Sequence, residues 1–235
     1  MSVAALVLAA GRGERLGHAL PKAFAPLGGR SLLARSLAAL ASSPEIDLVL
    51  PVVPAAELER ARALCAELPT RAKCLSPVAG GRERQDSMRA GLAALPPGVT
   101  HVAVHDAARA LVRPHDVTRV VEAARRHGAA LLAVRVTDTV KRVRGGVVVE
   151  TPDRSECWAA QTPQVFRAEL LREALAKADT AGFVGTDDAQ LVERLGVAVH
   201  VVEGDPENRK VTAPADLAWA EARLAARAAA DGEGV

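Results

Sequence analysis

Short apolar runs suited to strands alternate along this chain with segments whose apolar residues recur every three to four positions. This alternation constrains the fold more than any other feature. Parallel strands need crossover connections, usually helices, and chained units of that kind give a mostly parallel sheet covered by helices on both faces. The apolar runs are 3–8, 48–53, 101–105, 130–136 and 197–202. Helical patterning falls at 31–41, where Ser31 is placed to cap a stripe of Leu32, Leu33, Leu37 and Leu40. It recurs at 55–68, 84–95 (ended by Pro96-Pro97), 114–127, 187–195 and 214–230. The expected fold class is α/β.

One segment breaks the rhythm. Extended runs at 140–144 and 147–151 flank Gly145-Gly146, and two such runs joined by a two-residue glycine loop predict a β-hairpin. A lone hairpin is marginal in water, so the arm spanning 139–156 must lie on a domain of its own or on a second subunit. No internal repeat or Pro/Gly/Ser-rich linker divides the chain. A single domain over 1–230 carrying this arm is expected, with 231–235 as a disordered tail.

Composition excludes several partners. Thirty Lys+Arg stand against 28 Asp+Glu, for a net charge of +2, and aromatic residues make up only 2% with no Tyr. Neither a basic track for phosphates nor a stacking surface for bases is present, so no nucleic-acid partner is expected. No apolar run approaches the roughly 20 residues of a membrane span, and the apolar N-terminus lacks the charged start of a signal peptide. Three widely spaced cysteines form neither a disulfide framework nor a zinc pattern, which points to the reducing cytoplasm.

Six segments carry candidate chemistry. At 9–17, AAGRGERLG follows the first strand, and Pro21-Lys22 comes soon after. Gly11 and Gly13 let backbone N–H groups approach an anion, with Arg15 and Lys22 behind them. The spacing fits neither G-x-G-x-x-G nor a P-loop. Lys is rare here, five against 25 Arg, which makes Lys22 the more informative. At 79–92, Gly80-Gly81 precedes a helix whose first turn offers free N–H groups, with Arg84 and Ser87 in line. At 104–109, VHDAAR ends a buried strand, where ligands sit in open α/β sheets. Asp106 there suits Mg²⁺, which takes few protein ligands, or it caps a turn. At 153–166, Arg154 follows the hairpin, and Thr162 and Gln164 flank Pro163. At 185–188, Thr186 either contacts a ligand or caps a helix. At 204–217 stand the only Asn, Asn208, and Lys210, with Thr212 ahead of the last helix. Arg15, Lys22, Arg154 and Lys210 all lie in irregular segments near glycines, which with Asp106 suggests metal-assisted polyanion chemistry.

These motifs, in this order, resemble the 2-C-methyl-D-erythritol 4-phosphate cytidylyltransferase family. The shared patterns are A-A-G-x-G-x-R with Pro-Lys at 9–22, G-G-x-x-R-x-x-S at 80–87, V-H-D-A-A-R at 104–109, D-T-x-K at 138–141, D-R…W…Q-T-P-Q-x-F at 153–166 and N-x-K-x-T at 208–212. Ala110 and Leu16 depart from the usual Pro and Met, and neither change removes a polar group.

The resemblance implies a Rossmann-like, mostly parallel sheet of the nucleotide-diphospho-sugar transferase type. It implies transfer of CMP from CTP to 2-C-methyl-D-erythritol 4-phosphate, with loss of pyrophosphate. By the same resemblance Arg15, Lys22, Arg154 and Lys210 are catalytic and Asp106 holds Mg²⁺. CTP is bound by Ala9, Ala10, Gly11, Gly13, Gly81, Arg84, Ser87 and Ala107. The polyol phosphate is bound by Thr139, Arg154, Thr162, Thr186, Lys210 and Thr212. The arm is expected to exchange in a homodimer. At the level of sequence, a cytidylyltransferase for another polyol phosphate such as ribitol 5-phosphate stays open. A dinucleotide oxidoreductase is opposed by the glycine spacing. A non-catalytic nucleotide sensor is opposed by the retained Lys22, Asp106 and Lys210.

Overall fold

The computed structural model describes residues 1–11 and 21–232. The chain runs through β1 (Ser2–Leu8), β2 (Pro26–Leu27), β3 (Arg30–Ser31), α1 (Leu32–Ser42), β4 (Leu48–Val53), α2 (Leu58–Glu67), β5 (Val78–Ala79) and α3 (Arg84–Ala93). It continues through β6 (Val99–Asp106), α4 (Pro114–His127), β7 (Ala129–Arg135), β8 (Arg142–Arg144), β9 (Val147–Glu150) and β10 (Trp158–Arg167). It closes with α5 (Ala168–Thr180), α6 (Asp188–Glu193), β11 (His200–Glu203) and α7 (Pro214–Gly232).

Seven strands form one sheet in the order β11-β7-β10-β6-β1-β4-β5. Every pairing is parallel except those of β10, which runs antiparallel to both β6 and β7. The side-chain period of two divides β1 between the faces: Val3, Ala5 and Val7 go one way, Ala4 and Leu6 the other. The first face packs on α1 through Leu33, Leu37 and Leu40 and on α4 through Val117, Val120 and Val121. The second packs on α3 through Met88 and Leu92, on α5 through Leu171 and Leu175, and on α6 through Leu191. Each fully buried leucine contributes about 1.5–3 kcal/mol. Both faces are therefore covered, and the sheet's parallel strands all end on the same edge. That edge positions the site.

The expected Ser31 cap is present: its hydroxyl accepts the Ala34 N–H at 3.1 Å. Gly128 ends α4 in the left-handed region at φ 88°. Gly145 and Gly146 have φ of 56° and 79°, as a two-residue hairpin loop requires, although the paired strands are shorter than the sequence suggests. All residues from 141 to 150 are exposed. Residues 55–57, expected in a helix, form a separate 3-10 turn ahead of α2. The antiparallel β10 and the helix α5 that follows it without a loop go beyond the elements expected from the sequence, as do the two-residue strands β2, β3 and β5. Among the described residues, no helix is long and apolar enough to cross a membrane. Arg15 and Gly13 lie outside the described residues, as do 233–235 of the expected tail; α7 itself runs to Gly232.

Candidate active site

Three loops leave the sheet side by side, because the ladder continues past the strand ends. Ala9 N–H donates to Val52 O at 2.7 Å, Gly80 N–H to Val53 O at 2.8 Å and Ala107 N–H to Leu8 O at 3.0 Å. The loops after β1 and β5 touch. A Cβ on Gly80 would stand 2.4 Å from Ala10 Cβ and 2.7 Å from Ser87 Oγ, so a side chain is excluded there. Ser87 Oγ accepts the Gly81 N–H and donates to Glu83 O, both at 3.2 Å, which holds the turn against α3.

The cleft between these loops is lined by Ala9, Ala10 and Gly11 from the first, by Gly81, Arg84 and Ser87 from the second, and by Asp106 and Ala107 from the third. Lys22 and Lys210 also line it. Ten residues expected at the site from sequence thus meet in one place.

Asp106 is its electrostatic centre. Lys210 Nζ is 2.7 Å from Oδ2, and Arg84 Nε donates to Oδ1 at 3.2 Å. Burial alone would push this carboxyl up, but Arg84 and Lys210 outweigh it and hold Asp106 well below the usual carboxylate range. Beneath it, the Asp106 N–H donates to Thr162 Oγ1 at 3.0 Å, and that hydroxyl also meets His105 Nδ1 at 3.1 Å. Burial pushes His105 down to about 4, so it is neutral at pH 7.

Arg84 carries a second contact that sequence reasoning missed. Its Nη1 and Nη2 donate to Asp188 Oδ1 and Oδ2 at 2.5 and 2.8 Å. Burial opposes this guanidinium's charge, yet Asp188 and Asp106 raise its pKa above the ordinary arginine value. Gln164 holds Asp188 in turn. Its Oε1 accepts from Asp188 N and Ala189 N at 3.1 and 2.9 Å, and its Nε2 donates to Asp187 Oδ2 at 2.8 Å. Asp188 is 104 positions from Arg84 in sequence, so only the folded chain shows the pair.

The loop bearing Lys210 is anchored from below. Asn208 is fully buried and donates from Nδ2 to Gln161 Oε1 at 3.1 Å and Thr162 O at 2.9 Å. Arg109 donates to Asn208 O at 2.8 Å and Ala160 O at 3.1 Å, which makes it a strut for this loop.

The remaining expected residues that are described are not in the cleft lining. Thr162 is buried beneath Asp106. Thr186 is exposed at the start of α6, whose cap is Asp187, and its N–H donates to Gln190 Oε1 at 2.9 Å. The Thr212 hydroxyl, just ahead of α7, donates to Asp216 Oδ2 in its first turn at 2.7 Å. Thr139 and Arg154 are exposed beside the hairpin, with Arg154 Nη1 on Thr137 O at 2.9 Å. Among the described residues, no group of three or more His, Cys, Asp or Glu is arranged to hold a metal ion. A lone strand-end carboxylate fits Mg²⁺, which keeps most of its sphere for water and phosphate oxygens, and does not fit an all-protein cage.

A family model for 2-C-methyl-D-erythritol 4-phosphate cytidylyltransferase matches residues 3–226. The protein of that name from Geobacillus kaustophilus (strain HTA426) is 46% identical over 229 residues, covering 97% of this chain and 100% of its own. The crystal structure of the Thermus thermophilus protein of that name is 40% identical, with a TM-score of 0.75 over 95% of this chain and 98% of its own. The 4-diphosphocytidyl-2C-methyl-D-erythritol synthase structure from Anaerococcus prevotii DSM 20548 is 29% identical, with a TM-score of 0.85 over 95% and 98%.

Proposed function

Since this chain belongs to the 2-C-methyl-D-erythritol 4-phosphate cytidylyltransferase family, we propose that its cleft is where CMP passes from CTP to 2-C-methyl-D-erythritol 4-phosphate. Pyrophosphate is released and 4-diphosphocytidyl-2-C-methyl-D-erythritol is formed, a step in isoprenoid precursor synthesis. One observation carries the placement: Asp106, at the end of β6, stands between Lys210 and Arg84 in a cleft roofed by two glycine-bearing loops.

The chemistry suits the charges. CTP and the phosphate monoester together bring roughly five to six negative charges, at about −1.5 to −2 per terminal phosphate. The nucleophile is already an anion, so no general base is needed; a buried, neutral His105 agrees with that. The work left is to bring anions together and to stabilise charge in the transition state. Lys22 lies at the cleft wall to meet the triphosphate and the leaving pyrophosphate, with Arg15 assigned beside it by the family motif. The backbone around Ala10, Gly11 and Gly81, with Ser87, receives the cytosine. Lys210 grips the polyol phosphate and aims it at the α-phosphorus. Asp106 would hold Mg²⁺ together with phosphate oxygens; when bound, the ion neutralises charge on the transferring group. Thr162 serves by fixing Asp106. Thr139 and Arg154 reach the cleft of a second subunit in a homodimer built through the hairpin. The three unpaired cysteines suit the cytoplasm.

The test is pyrophosphate release with CTP and each candidate acceptor. Turnover is expected with 2-C-methyl-D-erythritol 4-phosphate. Faster turnover with ribitol 5-phosphate, or with UTP or ATP in place of CTP, overturns the assignment.

A further inference from the structure

We propose that Asp188 is a positioning residue for the transfer reaction. It occupies the arginine fork of Arg84 and so keeps Asp106 open to the cleft; this rests on the reading of the cleft given above. Arg84 is the first residue of α3, and its guanidinium lies between two carboxylates. A guanidinium is a rigid fork that prefers to grip one carboxylate with two prongs. Here both Nη groups go to Asp188, at 2.5 and 2.8 Å, and Asp106 receives only Nε, at 3.2 Å.

The division is fixed from below. The Asp188 side chain is 1% exposed and is absent from the cleft wall, so a loss of its partner would strand a buried charge. Gln164, in the middle of the sheet on β10, grips the backbone of Asp188 and Ala189 and the side chain of Asp187. The path from β10 through α6 to Arg84 sets where the fork points.

The consequence falls on Asp106. A carboxylate has about four acceptor positions. Lys210 and Arg84 Nε take one each, which leaves about two for other partners in the cleft that Asp106 lines. With Asp188 absent, the Arg84 fork would turn to the nearest remaining carboxylate, close Asp106 with a two-pronged grip, and leave it little to offer a phosphate-bound cation or an orienting contact.

The test uses the full-length enzyme. Asp188→Asn keeps the shape and removes the charge. It should lower kcat about 10–100-fold, the range seen when a supporting partner of a site is lost, with KM for CTP little changed. Asp188→Glu, which restores a carboxylate, should regain most of the rate. A second readout needs no turnover. In arginine-labelled protein without substrate, the Arg84 Nη protons should be pinned and resolved by NMR in the parent and in Asp188→Glu, and averaged in Asp188→Asn. The signals are identified by their loss in Arg84→Lys. If Asp188→Asn does not fold, as judged by thermal melting, Gln164→Leu carries the kinetic test: it removes the contacts that hold the Asp188 backbone and Asp187, and a fall in kcat in the same direction is expected. The proposal is overturned by a folded Asp188→Asn with unchanged kcat, by a slowed variant whose Arg84 signals are unaltered, or by a fully active Gln164→Leu in which those signals are averaged. If the parent itself releases no pyrophosphate, the reading of the cleft fails, and the Arg84 signals still decide the link to Asp188.

Discussion

Asp106 and His105 are neighbours in sequence, and burial acts on both, yet one is charged and the other neutral. Asp106 has Arg84 and Lys210 to offset its desolvation, and its pKa is depressed. For His105 the charge of the neighbouring Asp106 and backbone contacts with Arg109 and Thr162 do not outweigh burial, and its pKa falls to about 4. The sign of the stability effect follows. Between about 6.5, where an unfolded histidine titrates, and 4, the unfolded chain binds a proton that the folded chain refuses. Stability is therefore complete above pH 6.5 and is lost as pH falls towards 4, by on the order of 3 kcal/mol. His101, on the same strand and also shifted down by burial, acts in the same direction. Asp106 contributes in a separate window, below about pH 4. Melting at pH 7 and pH 5 should show the loss, and His105→Gln should flatten it. An equal slope in His105→Gln would place the effect elsewhere. Lys22 answers to kinetics. Replacing it with Ala should cost about 10²–10³ in kcat, as for one lost transition-state stabiliser, with CTP affinity nearly intact. Unchanged kcat would remove Lys22 from the reaction.

At the scale of elements, the parallel strands are legible in sequence because both faces are buried and their apolar runs are nearly unbroken. The helices with start signals, Ser31 for α1 and Pro114 for α4, are legible for the same local reason. β10 is not, because its middle holds Gln161, Thr162 and Gln164, polar residues buried only through partners far away in sequence. α5 has an apolar stripe at Leu170, Leu171, Ala174, Leu175 and Ala178, but it starts one residue after β10 with no capping side chain. The cleft residues on loops after strands are legible from their glycines and charges, whereas Asp188 depends on a contact that no local pattern encodes. Glycine spacing also does not reveal which glycine matters. The structure singles out Gly80, where the loops after β1 and β5 meet, and Gly80→Ala would drive a methyl group to 2.4 Å from Ala10 Cβ. The loops must part, so CTP KM should rise at least tenfold, the effect of about 1.4 kcal/mol, with the melting temperature falling modestly. A folded Gly80→Ala enzyme with an unchanged KM for CTP would refute the argument.

At the scale of the whole molecule, the arm is the part that one chain leaves unexplained. Val143, Val147, Val148 and Val149 are 53%, 66%, 53% and 46% exposed on a two-stranded ribbon that pairs only with itself. A ribbon of this size is not stable alone, and exchange about a two-fold axis is a low-cost way to cover it. Arg154, at the base of the arm, points at Thr137 of its own chain and takes no part in its own cleft wall. If it serves the cleft of a second subunit, Arg154→Ala and Lys22→Ala damage different halves of one composite site. Each is inactive alone, but a mixed dimer holds one site with an intact Lys22 from one subunit and an intact Arg154 from the other. Random exchange makes about half the dimers mixed, each with one good site of two, so about a quarter of the parent activity should return. No recovery after demonstrated subunit exchange would place Arg154 in its own subunit's site. A monomer by light scattering at the assay concentration would discard the exchange model, and the valines would then need another cover.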